Sequence, residues 1–455
     1  MGTNHPRRTY KIIIHAHPAP TTMKNNSTHS TDCDVLIIGA GPAGTSTAAI
    51  LAEYGHRVIV LEREKFPRYH IGESLIPFCF GPLERLGMIP KLRESAFVKK
   101  YSVCFVQPDG RASQPFYFFN RYDRETIAQS WQVVRSEFDQ MMVEHARERG
   151  ATVREQVTVK SLVRDADGRV LGVTATDSTG ETVEIRAQIT IDATGKEALT
   201  SNQLGWRLKD PYLNKIAIWT YYDGSTRGTG LDEGQTTVAF VPDKGWFWHI
   251  PQHNDRVSVG IVAEGKYLTR DGVKDPEAIF QREIGENAWI KDRLSTGQCT
   301  GEYWVTSEYS RHSRHCASPG LLLVGDAFAF LDPVFSSGVM LALKSGVMAG
   351  ETIHQGLLDG DLSPGRFADY GTQMRTGVEN MRKLVYAFYK PDFGFKDVVD
   401  RHPEAAAMLT DCLSGDVNKD FSQLWTWLEE HVELPTDLPY GAPLEIPAPA
   451  LAPAA

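Results

Sequence analysis

The sequence predicts an α/β fold, and three observations predict it. Val35-Leu36-Ile37-Ile38 is an unbroken apolar run that leads straight into the turn Gly39-Ala40-Gly41-Pro42-Ala43-Gly44. Helix-patterned residues 45–54 follow, then Gly55 and a second strand-like run, Arg57-Val58-Ile59-Val60-Leu61, closed by Glu62. A third run, residues 320–324, ends on Gly325-Asp326. Strands buried on both faces of a parallel sheet read as continuous apolar runs rather than as alternation. Strand, glycine turn, helix and strand within about 30 residues is the setting in which G-x-G-x-x-G carries meaning.

The other elements follow in order. Pro108-Asp109-Gly110-Arg111 predicts a turn between strands at 103–107 and 116–119. Residues 136–149 predict a helix stopped by Gly150. Turns at Asp167-Gly168 and Thr179-Gly180 make residues 151–195 an antiparallel meander. Residues 206–265 are strand-rich and aromatic, and residues 338–356 and 364–390 read as helices. The Pro- and Ala-rich tail from Leu434 is expected to be irregular or disordered.

Composition narrows the function classes. Of 455 residues, 42% are apolar and 23% charged, and such a chain can bury a large core without cross-links. The net charge of -9 argues against a nucleic-acid partner, which needs a cationic surface, and gives no attraction to an anionic membrane. No apolar run is long enough to cross a bilayer. Six cysteines without a C-x-x-C pair read as reduced and buried, in keeping with a cytoplasmic protein and no zinc site. Arg7, Arg8 and Lys11 precede only three isoleucines, against roughly 7–15 apolar residues in a signal peptide. Residues 1–30 are therefore read as a disordered leader, with Met23 a candidate start. His70, His249 and His315 have no partners at ligand spacing, and no metal is expected.

Each glycine of the first turn has a physical task. Gly39 permits the tight turn, Gly41 lets a diphosphate approach the backbone, and Gly44 lets the helix pack on the strand. The helix N-terminus then faces the anion. Glu62 stands eighteen residues after Gly44, placed to accept bonds from a ribose. Two later segments, Ile191-Asp192-Ala193-Thr194-Gly195 and Leu322-Leu323-Val324-Gly325-Asp326-Ala327, put small residues and an acid at strand ends.

Taken with the first turn, these segments resemble the glutathione-reductase-like flavoproteins, in the branch that contains the aromatic hydroxylases. The resemblance covers roughly residues 32–355 and implies FAD, with Asp326 at the ribityl and phosphate region. Arg135, in Trp131-Gln132-Val133-Val134-Arg135-Ser136-Glu137-Phe138-Asp139, matches that branch's arginine near the flavin. The fold it implies is a Rossmann-type FAD domain with an interleaved antiparallel substrate domain and a helical C-terminal region. The expected boundaries are 31–355 for the FAD module, with insertions at about 100–120 and 206–310, then 356–433 and a tail from 434. No second G-x-G-x-x-G follows a strand, so no separate nicotinamide domain is expected.

Three further segments resemble the flavin-dependent halogenases. Gly245-Trp246-Phe247-Trp248-His249-Ile250-Pro251 matches their W-x-W-x-I-P signature. Indoles at i and i+2 of a strand share a face and can wall the flavin off from an organic substrate. Phe330-Leu331-Asp332-Pro333-Val334-Phe335-Ser336-Ser337-Gly338 fits F-x-x-P-x-x-S-x-G. Ser337 and Gly338 then open a helix whose N–H groups make a halide site. Lys100 stands five residues before the strand residue Phe105, the family's spacing for its catalytic lysine, with Lys99 the fallback. The stretch Phe66-Pro67-Arg68-Tyr69-His70-Ile71-Gly72-Glu73-Ser74-Leu75 resembles the same family. The resemblance implies further cofactor contacts at Ala43, Arg63, Arg68, Ile71, Ser74, Pro333, Gly338 and Val339.

The resemblance implies that reduced FAD, supplied by a separate flavin reductase, and O2 oxidise chloride or bromide to hypohalous acid. Lys100 would then aim it at an electron-rich ring, either as an ammonium donating a hydrogen bond or as a haloamine. Tryptophan halogenases carry a glutamate where this chain has Phe335. That departure points to a phenolic or pyrrolic substrate, free or on an acyl or peptidyl carrier protein. Residues 384–391 resemble a helix of those groups that shapes the substrate mouth or simply packs. A flavin hydroxylase and a prenyl reductase are the alternative enzymes.

Overall fold

A computed structural model describes residues 32–242, 245–307, 310–390 and 393–445. The leader, Met23 and the last ten residues lie outside the described residues. In chain order the elements that position the site are β1 (Cys33–Ile38), α1 (Pro42–Glu53), β2 (Val58–Leu61), β3 (Val98–Lys100), β4 (Ser102–Val106), β5 (Ser130–Gln132), α2 (Arg135–Glu148) and β6 (Thr152–Arg154). They continue with β7 (Thr182–Asp192), β8 (Lys215–Asp223), β9 (Thr236–Phe240), β10 (Trp246–Pro251), β11 (Arg256–Glu264), β12 (Leu321–Leu323), α3 (Gly338–Asp359) and α4 (Ala368–Tyr389).

The apolar runs form a parallel sheet in the order β12-β7-β1-β2-β6. β1 pairs with β2 on one side and with β7 on the other, Ile38 lying opposite both Leu61 and Asp192. The chain reverses direction across the sheet at that point, so the strand ends there bound a crevice. The meander reaches the same sheet. Its last strand, β7, pairs with Val170–Thr176 through its first half and with β1 through its second. Burying a large aliphatic side chain fully contributes about 1.5–3 kcal/mol, and Val35, Leu36 and Ile37 are all fully buried.

α1 and α3 pack closely because α3 offers glycines where they touch. A Cβ on Gly346 would fall 2.4 Å from the Ala43 carbonyl oxygen, and one on Gly350 2.7 Å from Ile50. This contact fixes the N-terminus of α3 beside the nucleotide turn. A second sheet holds β8-β11-β10-β9-β4, antiparallel except where β4 runs parallel to β9. Alternation along β10 sends Trp246, Trp248 and Ile250 into the core shared with the FAD-type sheet, and Phe247 into a core beneath helices at 276–294. Residues 434–445 hold no helix or strand, yet Tyr440 is buried and Leu444 N–H donates to the Ala317 carbonyl.

Candidate active site

A long cavity runs from the end of β1 to the face of β10. At its nucleotide end the glycines divide their work. Gly39 has φ +100°, and a Cβ there would fall 2.5 Å from the Ala193 carbonyl oxygen. A Cβ on Gly44 would fall 2.1 Å from the Gly39 carbonyl oxygen, so Gly44 is a packing glycine that does not line the cavity. Gly41 faces open space, with only the Arg68 Nη2 atom within reach at 3.8 Å. Glu62 is held at the end of β2, where it accepts the N–H groups of Ala40 (3.0 Å) and Glu64 (3.0 Å).

Arginines set the middle of the cavity. Arg135 grips Asp139 through two bonds (2.7 and 2.9 Å) and donates to the carbonyls of Ile71 (2.9 Å) and Gly72 (3.1 Å). Arg68 adds a 3.1 Å bond to Asp139. Burial pushes the Asp139 carboxyl up, but Arg135 and Arg68 pull it below the usual carboxylate range. The pair thus stays ionised and clamps the 68–72 segment onto α2. Arg63 pairs with Glu197 at the rim. Asp326 lines the cavity, and burial pushes its carboxyl up to about 6 while Lys196 and Arg135 draw it back.

The turn before α3 forms another wall. Asp332 Oδ1 accepts the Val334 N–H (3.1 Å), and Ser336 takes a left-handed φ of +56°. Ser337 caps α3 without a side-chain bond. The first-turn N–H groups of the helix therefore remain available to an anion. The space where a Gly338 Cβ would sit is empty to 4 Å. Ser336, Gly338, Val339 and Pro333 line the cavity; Ser337 is buried beside it.

Trp246 and Trp248 close the far side, their rings 6.2 Å apart at 51°. Trp248 Nε1 donates to Ser258 Oγ (3.0 Å) and Trp246 Nε1 to Tyr389 Oη (2.8 Å). Lys100 is completely buried. Its Nζ donates to Ser74 Oγ (2.8 Å) and the Leu75 carbonyl (3.0 Å). Ser74 lines the cavity and bonds Thr236 Oγ1 (2.9 Å), so Lys100 meets the cavity through Ser74. Burial pushes the Lys100 ammonium down to about 7. Lys99 is exposed and lines a separate surface hollow.

Residue types alone did not single out three groups, one on this cavity and two bonded to its walls. Glu73 is buried on its wall, bonded by Tyr221 Oη (2.7 Å) and Gln252 Nε2 (2.8 Å). Tyr389, at the end of α4, accepts from Trp246 and donates to Asp332 Oδ2 (3.0 Å). Asp332 is fully buried, and burial pushes it up to about 6. All three lie inside segments that carry the halogenase resemblance, so the signal was their position in a motif rather than their type.

Comparison with known proteins shows the family. A family model described as tryptophan halogenase matches residues 118–393, and one described as FAD dependent oxidoreductase matches residues 34–201. The chain belongs to the flavin-dependent halogenases. A 1H-pyrrole-2-carbonyl-[peptidyl-carrier protein] chlorinase of Pseudomonas fluorescens is 29% identical over 407 residues, covering 85% of this chain and 90% of that protein. A flavin-dependent halogenase of Armillaria mellea is 30% identical, over 78% of this chain and 74% of its own length. The solved structure of the flavin-dependent brominase Bmp2 superposes with a TM-score of 0.79 at 26% identity, over 88% of this chain and 98% of that one. This halogenase uses FAD, and halide and O2 are the usual cosubstrates of its class. The cavity fits the cofactor on its own evidence: open backbone at Gly41, fixed acids at Glu62 and Asp326, and a free helix start at Gly338. Among the described residues no helix is long and apolar enough to cross a membrane.

Proposed function

We propose that this halogenase installs chlorine or bromine on an electron-rich ring of the pyrrole or phenol class, and that the ring arrives on a carrier protein. Phe335 carries the substrate reading. It is buried edge-on against Phe388 (5.7 Å, 81°) and near Phe395 (6.4 Å). No carboxylate stands there to stabilise the cationic intermediate of a weakly activated indole, whereas a pyrrole or phenol supplies that stabilisation from its own heteroatom. The pyrrole-2-carbonyl-carrier chlorinase among the relatives supports both the ring class and the tether. A separate flavin reductase supplies reduced FAD, in line with a single G-x-G-x-x-G.

The chain's residues divide the task. The 39–44 turn, Glu62, Arg68, Arg135 and Asp326 hold the cofactor, with Arg63, Ala43, Ile71, Pro333 and Val339 completing its bed. When bound, reduced FAD with O2 supplies the oxidising power that converts halide to hypohalous acid. The N–H groups at Ser337 and Gly338 hold the halide at the start of α3. Trp246 and Trp248 keep the organic ring out of the cofactor chamber, so the oxidant must travel as the small hypohalous acid. Lys100 receives it behind the wall. A buried amine poised near 7 offers a proton at Nζ without the hydration that would dull it.

The test supplies FAD, a flavin reductase, O2 and halide with pyrroles and phenols, free and carrier-bound, followed by mass spectrometry. Exchange of hydrogen for halogen on a carrier-bound pyrrole or phenol is the expected product. Halogenation of free tryptophan in preference to all of these would overturn the substrate assignment.

A further inference from the structure

Making hypohalous acid consumes a proton. In balance, FADH2 + O2 + X⁻ + H⁺ gives FAD + HOX + H2O, where X is chlorine or bromine. The competing outcome, FADH2 + O2 giving FAD + H2O2, consumes none. That proton must reach the reacting oxygen inside the cavity, and protein groups on its wall can carry it there from solvent.

One route ends on the cavity wall, at Glu73. Tyr69 is 44% exposed. Its Oη lies 3.1 Å from Tyr221 Oη, and Tyr221 Oη donates to Glu73 Oε1 at 2.7 Å. Gln252 Nε2 also donates to Oε1 (2.8 Å), which fixes the carboxyl by one oxygen. The other oxygen, Oε2, is buried with no hydrogen bond of ordinary geometry, in a residue that lines the cavity. The ring of Tyr69 is held in place by Trp304, stacked at 4.8 Å, and by the Trp219 Nε1 bond to its hydroxyl. An orphaned buried carboxylate oxygen is costly if charged and inexpensive if it carries a proton.

We propose that Tyr69, Tyr221 and Glu73 form the proton inlet of the cofactor cavity, with Glu73 delivering the proton inside it. The inference rests on the halogenase reading above. Glu73 gives up the proton on Oε2 to the reacting oxygen and is left as a carboxylate. Tyr221 then passes its hydroxyl proton to Oε1, takes one from Tyr69, and Tyr69 takes one from water. Rotation of the carboxyl returns the proton to the Oε2 side. One O–H bond breaks and one forms at each member, and no electrons move.

The surroundings suit that task. Burial pushes the Glu73 carboxyl up, against the pull of Ser258, Tyr221, Gln252 and the Arg135 guanidinium. Arg135 on α2 is the charged group that faces it, and its own charge is matched by Asp139. Burial also raises Tyr221, beside Glu73, and pushes Tyr69 up to about 12, so both phenols keep their protons at neutral pH. Each can therefore donate and accept at once.

The experiment uses the FAD-bound enzyme and two readouts. The first is infrared spectroscopy in H2O and D2O. A protonated-carboxyl stretch absent from Glu73→Gln is expected, and its exchange with solvent should slow at least about tenfold in Tyr221→Phe, which keeps the ring and removes the relay. The second is the ratio of trapped hypohalous acid to peroxide when reduced FAD, O2 and bromide are supplied. Glu73→Gln should shift that ratio toward peroxide by about 10²-fold, most strongly at high pH, while FAD absorbance shows the cofactor still bound. No such stretch in the wild type, or equal exchange rates in wild type and Tyr221→Phe, overturns the inlet. A wild type that makes no hypohalous acid overturns the halogenase reading instead, and the exchange measurement still judges the inlet.

Discussion

The Tyr389 hydroxyl accepts the indole N–H of Trp246 at 2.8 Å and donates to Asp332 at 3.0 Å. One phenol thus ties the end of α4 to the tryptophan wall and to the turn that opens α3. Phe388, beside it, packs on Phe335 and Phe240. The end of the C-terminal helix is therefore joined to the cavity wall at Trp246 and to the turn before α3.

Removing that hydroxyl leaves a buried indole N–H without an acceptor. Tyr389→Phe should lose about 1–3 kcal/mol of stability, read as a lower denaturation midpoint with unchanged slope. FAD should still bind, because no cofactor-end residue is touched. A midpoint equal to the wild type would mean that water takes the place of the phenol.

The glycines of the first turn should separate cleanly. Gly44→Ala places a methyl 2.1 Å from the Gly39 carbonyl oxygen and should yield misfolded or insoluble chain. Gly41→Ala meets only Arg68 at 3.8 Å and should fold with native stability while weakening FAD by about tenfold or more. Equilibrium dialysis with oxidised FAD checks the second, and expression with circular dichroism the first.

Gly338→Ala tests the halide site in the same way. Its Cβ enters empty space, so the apo fold should be unchanged or gain about 0.5–1 kcal/mol from the lost chain freedom of glycine. The methyl enters the space at the helix start, so the halide KM should rise by a larger factor than any loss of FAD affinity. An unchanged halide KM would move the anion elsewhere.

Lys100 should leave its mark on stability. Its folded value, about 7, lies below the ordinary lysine value of 10.5. Between those two values the unfolded chain holds the proton and the folded chain does not. Stability should therefore rise with pH across that window, by about 1.4 kcal/mol per pH unit at its steepest. Below pH 7 both states are protonated and the slope from this group vanishes. Denaturant titrations of wild type and Lys100→Met at several pH values give the difference, and parallel curves would refute the shift.

What the sequence made legible was local. The 39–44 turn and Glu62 lie within one short strand-helix-strand unit and the two indoles within β10, so their arrangement could be read directly. The choice of Lys100 over Lys99 rested on the family's spacing to Phe105, and the structure buries Lys100 and exposes Lys99. The contacts that complete the chamber are long-range. Trp246 and Tyr389 are 143 residues apart, and Glu73 and Tyr221 are 148. No periodicity predicts such pairs, because they arise only when separate sheets and helices dock. Likewise the motif placed Ser337 and Gly338 together at the helix start, but Ser336, in a left-handed conformation, lines the cavity with Gly338 while Ser337 is buried beside it.

On the proposed reading, oxygen activated in this cavity is spent on halide, and Lys100 carries the result to the ring. The most direct measurement is mass spectrometry of wild type and Lys100→Ala with a carrier-bound pyrrole, reduced FAD and O2, run with chloride and then bromide. The wild type should give a product whose mass follows the halide. Lys100→Ala should bind FAD and release trapped hypohalous acid with at least about 10²-fold less halogenated product. Product bearing added oxygen and no halogen in either halide would contradict that reading, as would normal halogenation by Lys100→Ala.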